Sequence, residues 1–107
     1  MEISKSDWKL YREKIAGWQE NYMACLNKEY IVLLSADDKN ESEKFWELEK
    51  KIKSDRRHPG VSIEIEKSNA IFDLVELIRL DVITYDDLAD FSENLKQAVK
   101  RLLDRYR

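Results

Sequence analysis

Glycine and proline are scarce, with two glycines and one proline in 107 residues. Tight turns draw on both residue types, so a β-rich domain with many turns is a poor fit. Long helices joined by few loops fit better. A single cysteine, Cys25, rules out an internal disulfide and suits a reducing compartment. The longest strictly apolar run is Ile31-Val32-Leu33-Leu34, far short of the ~20 residues that span a bilayer. The segment Met1–Trp8 has no apolar stretch like that of a signal peptide. A cytoplasmic chain that does not engage the membrane is therefore expected. Neither sign of charge dominates: 19 basic and 22 acidic side chains leave a formal charge of −3. Such a balance gives no general attraction to nucleic acid or anionic lipid.

What remains is 43% apolar and 38% charged residues, enough to bury a core and too short for two independent ones. A single helical domain over residues 1–107 is the expectation. Its fold class is all-α, with four to five helices in a bundle, a long first helix, and one extended strap after Pro59-Gly60.

The first helix is read from about Ser6 to Leu34, with Ser6 or Asp7 as its cap. Trp8, Tyr11, Ile15, Trp18, Tyr22, Leu26 and Leu33 recur at three- and four-residue steps and fall within roughly an 80° arc. Ile31 and Val32 point off that arc, so the last turn is expected to be buried on several sides. Gly17 beside Ala16 either lets another helix approach or sits on the surface. A straight helix of this length measures about 43 Å, against about 34 Å for the diameter of a 107-residue domain. It must bend, overhang or pack against a second copy, and the aromatic stripe suits a homodimer interface.

Asn40 with Glu43 forms a capping box that opens a second helix to about Ser54. Its stripe is thin: Phe45, Leu48 and Ile52, with Trp46 about 100° away from Phe45. Arg56-Arg57-His58-Pro59-Gly60 is the clearest break. Val61, Ile63 and Ile65 then alternate with polar residues, the pattern of a half-buried strand without a partner strand in the chain. It reads as a strap lying on helices, or as a strand paired with its symmetry mate. Ser68 caps a third helix through Ile71, Leu74, Val75 and Ile78, ending near Leu80-Asp81. Thr84-Tyr85-Asp86-Asp87 is a second capping box, stapled by Ile83 and Leu88. The fourth helix runs from there to about Tyr106 unless Ser92-Glu93 begins a fresh one.

No catalytic constellation emerges. Nucleophilic catalysis needs a nucleophile beside an oriented base; His58 sits in an Arg-rich turn, and Cys25 lies near the apolar stripe, where a thiol behaves as a small hydrophobe. Asp81, Asp86, Asp87, Asp90 and Glu93 gather without an intervening base. A calcium loop starting at Asp81 needs Gly and Glu at its sixth and twelfth positions, and these are Asp86 and Ser92. The acids instead suit helix amino termini. No phosphate-binding glycine loop exists. The chain is thus expected to be no enzyme, with no cofactor and no metal. The candidates for nucleic acid are two small basic clusters, Lys96, Lys100 and Arg107 along one side of the last helix and Arg56-Arg57, and basic residues in a final turn are better read as complementing the helix dipole.

Phe45-Trp46-Glu47-Leu48-Glu49, His58-Pro59-Gly60-Val61, and Val82–Leu88 through Phe91-Ser92 resemble a family of short, uncharacterised helical proteins of Gram-positive bacteria. The likeness runs from Trp8 to about Leu95, implies an all-helical fold, and brings no catalytic or ligand residues with it.

The leading reading is a non-catalytic cytoplasmic interaction or regulatory module with a protein partner, self or other, and a homodimeric state. Trp46, Arg56, Arg57 and His58 are the residues expected to contact that partner; otherwise Trp46 lies under the strap and the arginines form a solvated turn. Two alternatives carry other chemistry. One is a nucleic-acid-binding regulator using the carboxyl-terminal helices. The other is a mobile-element or phage inhibitor of a host nuclease that presents Asp86, Asp87 and Asp90.

Overall fold

The computed structural model, which describes residues 2–106, is all-α. Four α-helices follow in order: α1 (Lys5–Leu34), α2 (Glu41–Asp55), α3 (Ala70–Arg79) and α4 (Glu93–Asp104). Single 3-10 turns occupy Lys67–Asn69 and Tyr85–Leu88. No strand occurs among the described residues, and none of their helices is long and apolar enough to cross a membrane. The chain's contacts group into two compact units, one made of the chain up to Trp18 and from Glu64 onward, the other of Gln19–Ile63. Helix α1 gives its first half to one unit and its second half to the other.

The first unit holds nearly all of the buried apolar side chains. Tyr11, Leu74, Leu77, Leu88 and Val99 are fully buried, and α3 packs along α4. Each fully buried side chain of this size contributes about 1.5–3 kcal/mol of transfer free energy. Helix α1 begins with Ser4 rather than Ser6 or Asp7: Ser4 Oγ accepts from the Asp7 N–H at 3.2 Å. Asp7 is then free for another task. It is buried, and its carboxylate accepts from the Ser92 N–H at 3.0 Å and from Ser92 Oγ at 2.5 Å.

Helix α3 ends in a Schellman motif. Asp81 adopts φ 60°, the Val82 N–H donates to the Leu77 carbonyl oxygen at 2.9 Å, and the Asp81 N–H donates to that of Ile78 at 3.1 Å. Ser68 does not cap this helix; it lies inside the 3-10 turn Lys67–Asn69, and Asn69 takes the cap position without a side-chain bond. The Thr84–Asp87 box does close, the Thr84 N–H donating to Asp87 Oδ2 at 2.7 Å, but it encloses one 3-10 turn rather than a long helix. The fourth segment is therefore split. Ser92 caps α4 afresh, its Oγ accepting from the Leu95 N–H at 3.2 Å.

The second unit is built differently. Leu26, Leu33 and Gly60 are its buried residues, and α2 has none. Helix α2 starts as its sequence implies, with Asn40 Oδ1 accepting from the Glu43 N–H at 2.9 Å and Glu43 answering the Asn40 N–H. The apolar stripe of α1 is buried at Leu26 and Leu33 and half-buried at Tyr22. Its last turn, however, is not covered: Ile31, Val32 and Leu34 are exposed. Cys25 is also exposed, not packed as a small hydrophobe. A Cβ at Gly17 would meet nothing within 4 Å, so this is a surface glycine. After Gly60 the turn continues to Ser62, whose N–H donates to the His58 carbonyl oxygen at 3.0 Å. The following residues form no regular element, and the period-two burial stops early: Val61 and Ile63 are half-buried, Ile65 exposed.

Candidate interaction surface

Helix α2 places Phe45, Leu48, Glu49, Ile52 and Arg56 on one face, because steps of three, four and seven residues return to the same side. These residues with Lys53 line a shallow hollow along the helix. Phe45 is 62% exposed, Trp46 63% and Ile52 45%. The Phe45 and Trp46 rings meet edge to face, with centroids 5.0 Å apart at 86°, so the two aromatics support one another without being sheltered from water. Trp46 does not lie beneath the segment after Gly60; it is in solvent.

A second hollow in the same unit is bordered by Met23, Leu26 and Tyr30 of α1, Ile52, Asp55 and Arg56 towards the end of α2, and Val61. Tyr30 Oη donates to Asp55 Oδ2 at 2.5 Å. Partial desolvation and that bond to a carboxylate push the Tyr30 phenol up to about 12, because both favour the protonated form. Near the start of α2, Lys39 pairs with Glu47 and Lys44 with Glu41 at 3.5 Å. The cations at the other end lack such partners: no carboxylate among the described residues forms an ion pair with Lys50, Lys51, Lys53, Arg56 or Arg57.

The four residues expected to contact a partner separate into two kinds. Trp46, Arg56 and Arg57 are exposed, and the Arg56 N–H closes α2 on the Ile52 carbonyl oxygen at 2.9 Å. His58 is half-buried and serves the turn. Its Nδ1 accepts from the Gly60 N–H at 3.0 Å, which leaves the ring proton on Nε2, 3.3 Å from the Tyr22 hydroxyl. The two rings stack at 4.6 Å and 7°. Gln19 Nε2 donates to the Pro59 carbonyl oxygen at 3.0 Å. A Cβ at Gly60 would stand 2.3 Å from Tyr22 Cδ2, so glycine is what lets the turn close on that ring.

Elsewhere several of the acids singled out from the sequence are engaged. Asp90 pairs with Lys14 at 3.3 Å, Glu93 with Lys96 at 2.8 Å, and Asp87 sits in its cap. Arg107 lies outside the described residues. No hydrogen bond among the described residues joins Cys25 to His58, and no group of three or more His, Cys, Asp or Glu side chains among them is placed to hold a metal ion.

Phe45 and Ile52 do not stand out in the sequence as contact residues, since a helical stripe normally faces the core. One signal was available: a stripe of only three apolar residues, with charges on both sides, has little to pack. The chain matches no protein-family model, no curated protein and no solved structure.

Proposed function

We propose that this protein is a non-catalytic interaction module that binds protein through the apolar side of its second unit. One observation carries the reading: α2 has no buried residue while Phe45, Trp46 and Ile52 stand in water. Aromatic side chains left exposed together gain most when a partner covers them, and Trp is among the commonest anchors of protein interfaces. Ile31, Val32 and Leu34 in the same unit add to the apolar surface, and Arg56 and Arg57 supply cations at its edge. The exposed thiol of Cys25 suits a reducing compartment such as the cytoplasm.

A photo-activatable phenylalanine analogue at position 46 tests this in growing cells. Covalent adducts of defined mass with a protein, lost when Phe45→Ala is added, support it. Absence of any protein adduct, or adducts with nucleic acid only, contradicts it.

A further inference from the structure

Resting on the interaction reading above, we infer that the occupant of the α2 face is a second copy of this chain, docked with its α2 antiparallel. The argument is charge order along the helix. Residues 41–49 carry Glu41, Glu43, Glu47 and Glu49 against one cation, Lys44; residues 50–57 carry Lys50, Lys51, Lys53, Arg56 and Arg57 against one acid, Asp55. The helix thus runs from acidic to basic, with its exposed apolar residues spanning the change of sign.

An antiparallel copy sets each acidic half against a basic half, whereas a parallel copy sets like against like. A two-fold axis between Leu48 and Glu49 brings Phe45 level with the partner's Ile52 and Glu41 level with the partner's Arg56, and places the two Leu48 side chains together at the centre. The interface is self-complementary, as a closed dimer requires. The cations of the second half are available for this, since none has an ion-pair partner within its own chain among the described residues. Antiparallel packing also opposes the two helix dipoles favourably.

Sedimentation equilibrium of the full chain tests the inference. The wild type should show a monomer–dimer equilibrium over a micromolar series. Lys53→Glu/Arg56→Glu cancels the net positive charge of the second half, and Glu41→Lys/Glu49→Lys reverses the net negative charge of the first. Each alone should weaken self-association by more than about tenfold, because positions 41 and 56, level across the axis, then carry like charges and the acidic-to-basic order of the helix is lost. An equimolar mixture should restore the dimer. None of the four side chains is buried, and circular dichroism checks that each variant stays helical.

Orientation is read from disulfides in a Cys25→Ser background. Ser42→Cys and Arg56→Cys should cross-link when mixed and not alone. Cross-linking of either variant with itself overturns the antiparallel register. A wild type that is monomeric throughout, or a dimer indifferent to both reversals, overturns the inference. Monomeric mass combined with position-46 adducts to another protein overturns it while leaving the interaction reading in place; monomeric mass without adducts removes both.

Discussion

The Tyr11 hydroxyl donates to Asp73 Oδ2 at 3.3 Å, joining α1 to α3 over 62 positions of sequence. Burial raises the Asp73 carboxyl above its ordinary value of 3.8, the bond from Tyr11 opposes that rise, and Glu66 adds to it. A carboxyl raised in the folded state binds protons more readily there than in the unfolded chain. Its contribution is therefore fully present below 3.8 and is lost as pH rises through the higher folded value. Asp73→Asn keeps an acceptor for Tyr11 and has no charge to desolvate. The variant should be at least as stable as wild type near neutrality, and its advantage should shrink as pH falls through the Asp73 range. Urea titrations at several pH values measure this; a variant clearly less stable at neutrality counts against it.

Tyr11 and Tyr30 predict the alkaline limit. Burial, with Asp73 beside it, holds the Tyr11 phenol well above 10.0, and Tyr30 is pushed up to about 12. Groups raised in the folded state stabilise it fully below 10.0 and lose that contribution as pH climbs through the folded values. Unfolding free energy should therefore decline above pH 10.0, in step with tyrosinate absorbance. Tyr11→Phe/Tyr30→Phe should flatten the decline.

Asp7 and Ser92 lie 85 positions apart. The carboxylate accepts two bonds from Ser92 while Ser92 Oγ caps α4, so one buried acid fixes the start of a distant helix. Asp7→Ala strands the Ser92 donors and should cost about 1–3 kcal/mol. Asp7→Asn, which retains an acceptor, should cost less. Denaturant unfolding gives both values, and equal losses would show that the carboxylate's bonding is not what matters.

Gly60→Ala drives a methyl into the Tyr22 ring and should cost about 1–3 kcal/mol through overpacking. The damage belongs to the His58 turn. The ring-current shift that Tyr22 imposes on the His58 proton signals should therefore collapse. A variant retaining that shift would show that the ring yields easily.

The helices were legible where a local rule decides them. Asn40 and Glu43 announced α2, and the steps from Trp8 to Leu33 announced α1, because capping and face periodicity are settled within a few residues. What the pattern cannot express is which face finds a cover. Ile31, Val32, Phe45 and Ile52 are as apolar as Leu33, yet they stand exposed where Leu33 is buried. Leu88 and Phe91 fit a continuous helix and a 3-10 turn followed by a break equally well, so the pattern leaves one helix or two open, and the fresh start at Ser92-Glu93 is what the structure shows. The Asp7–Ser92 bond depends on tertiary placement alone. The sequence places Trp46 off its stripe, and the structure shows it in solvent.

The claim on which the functional account turns is that the Phe45–Trp46 side of α2 is open on the single chain and covered in the complex. Acrylamide quenching of Trp46 fluorescence, in Trp8→Phe/Trp18→Phe protein, measures this directly. The account predicts free quenching at high dilution and rising protection as protein concentration increases. Strong protection at every concentration would place Trp46 inside the fold and contradict it.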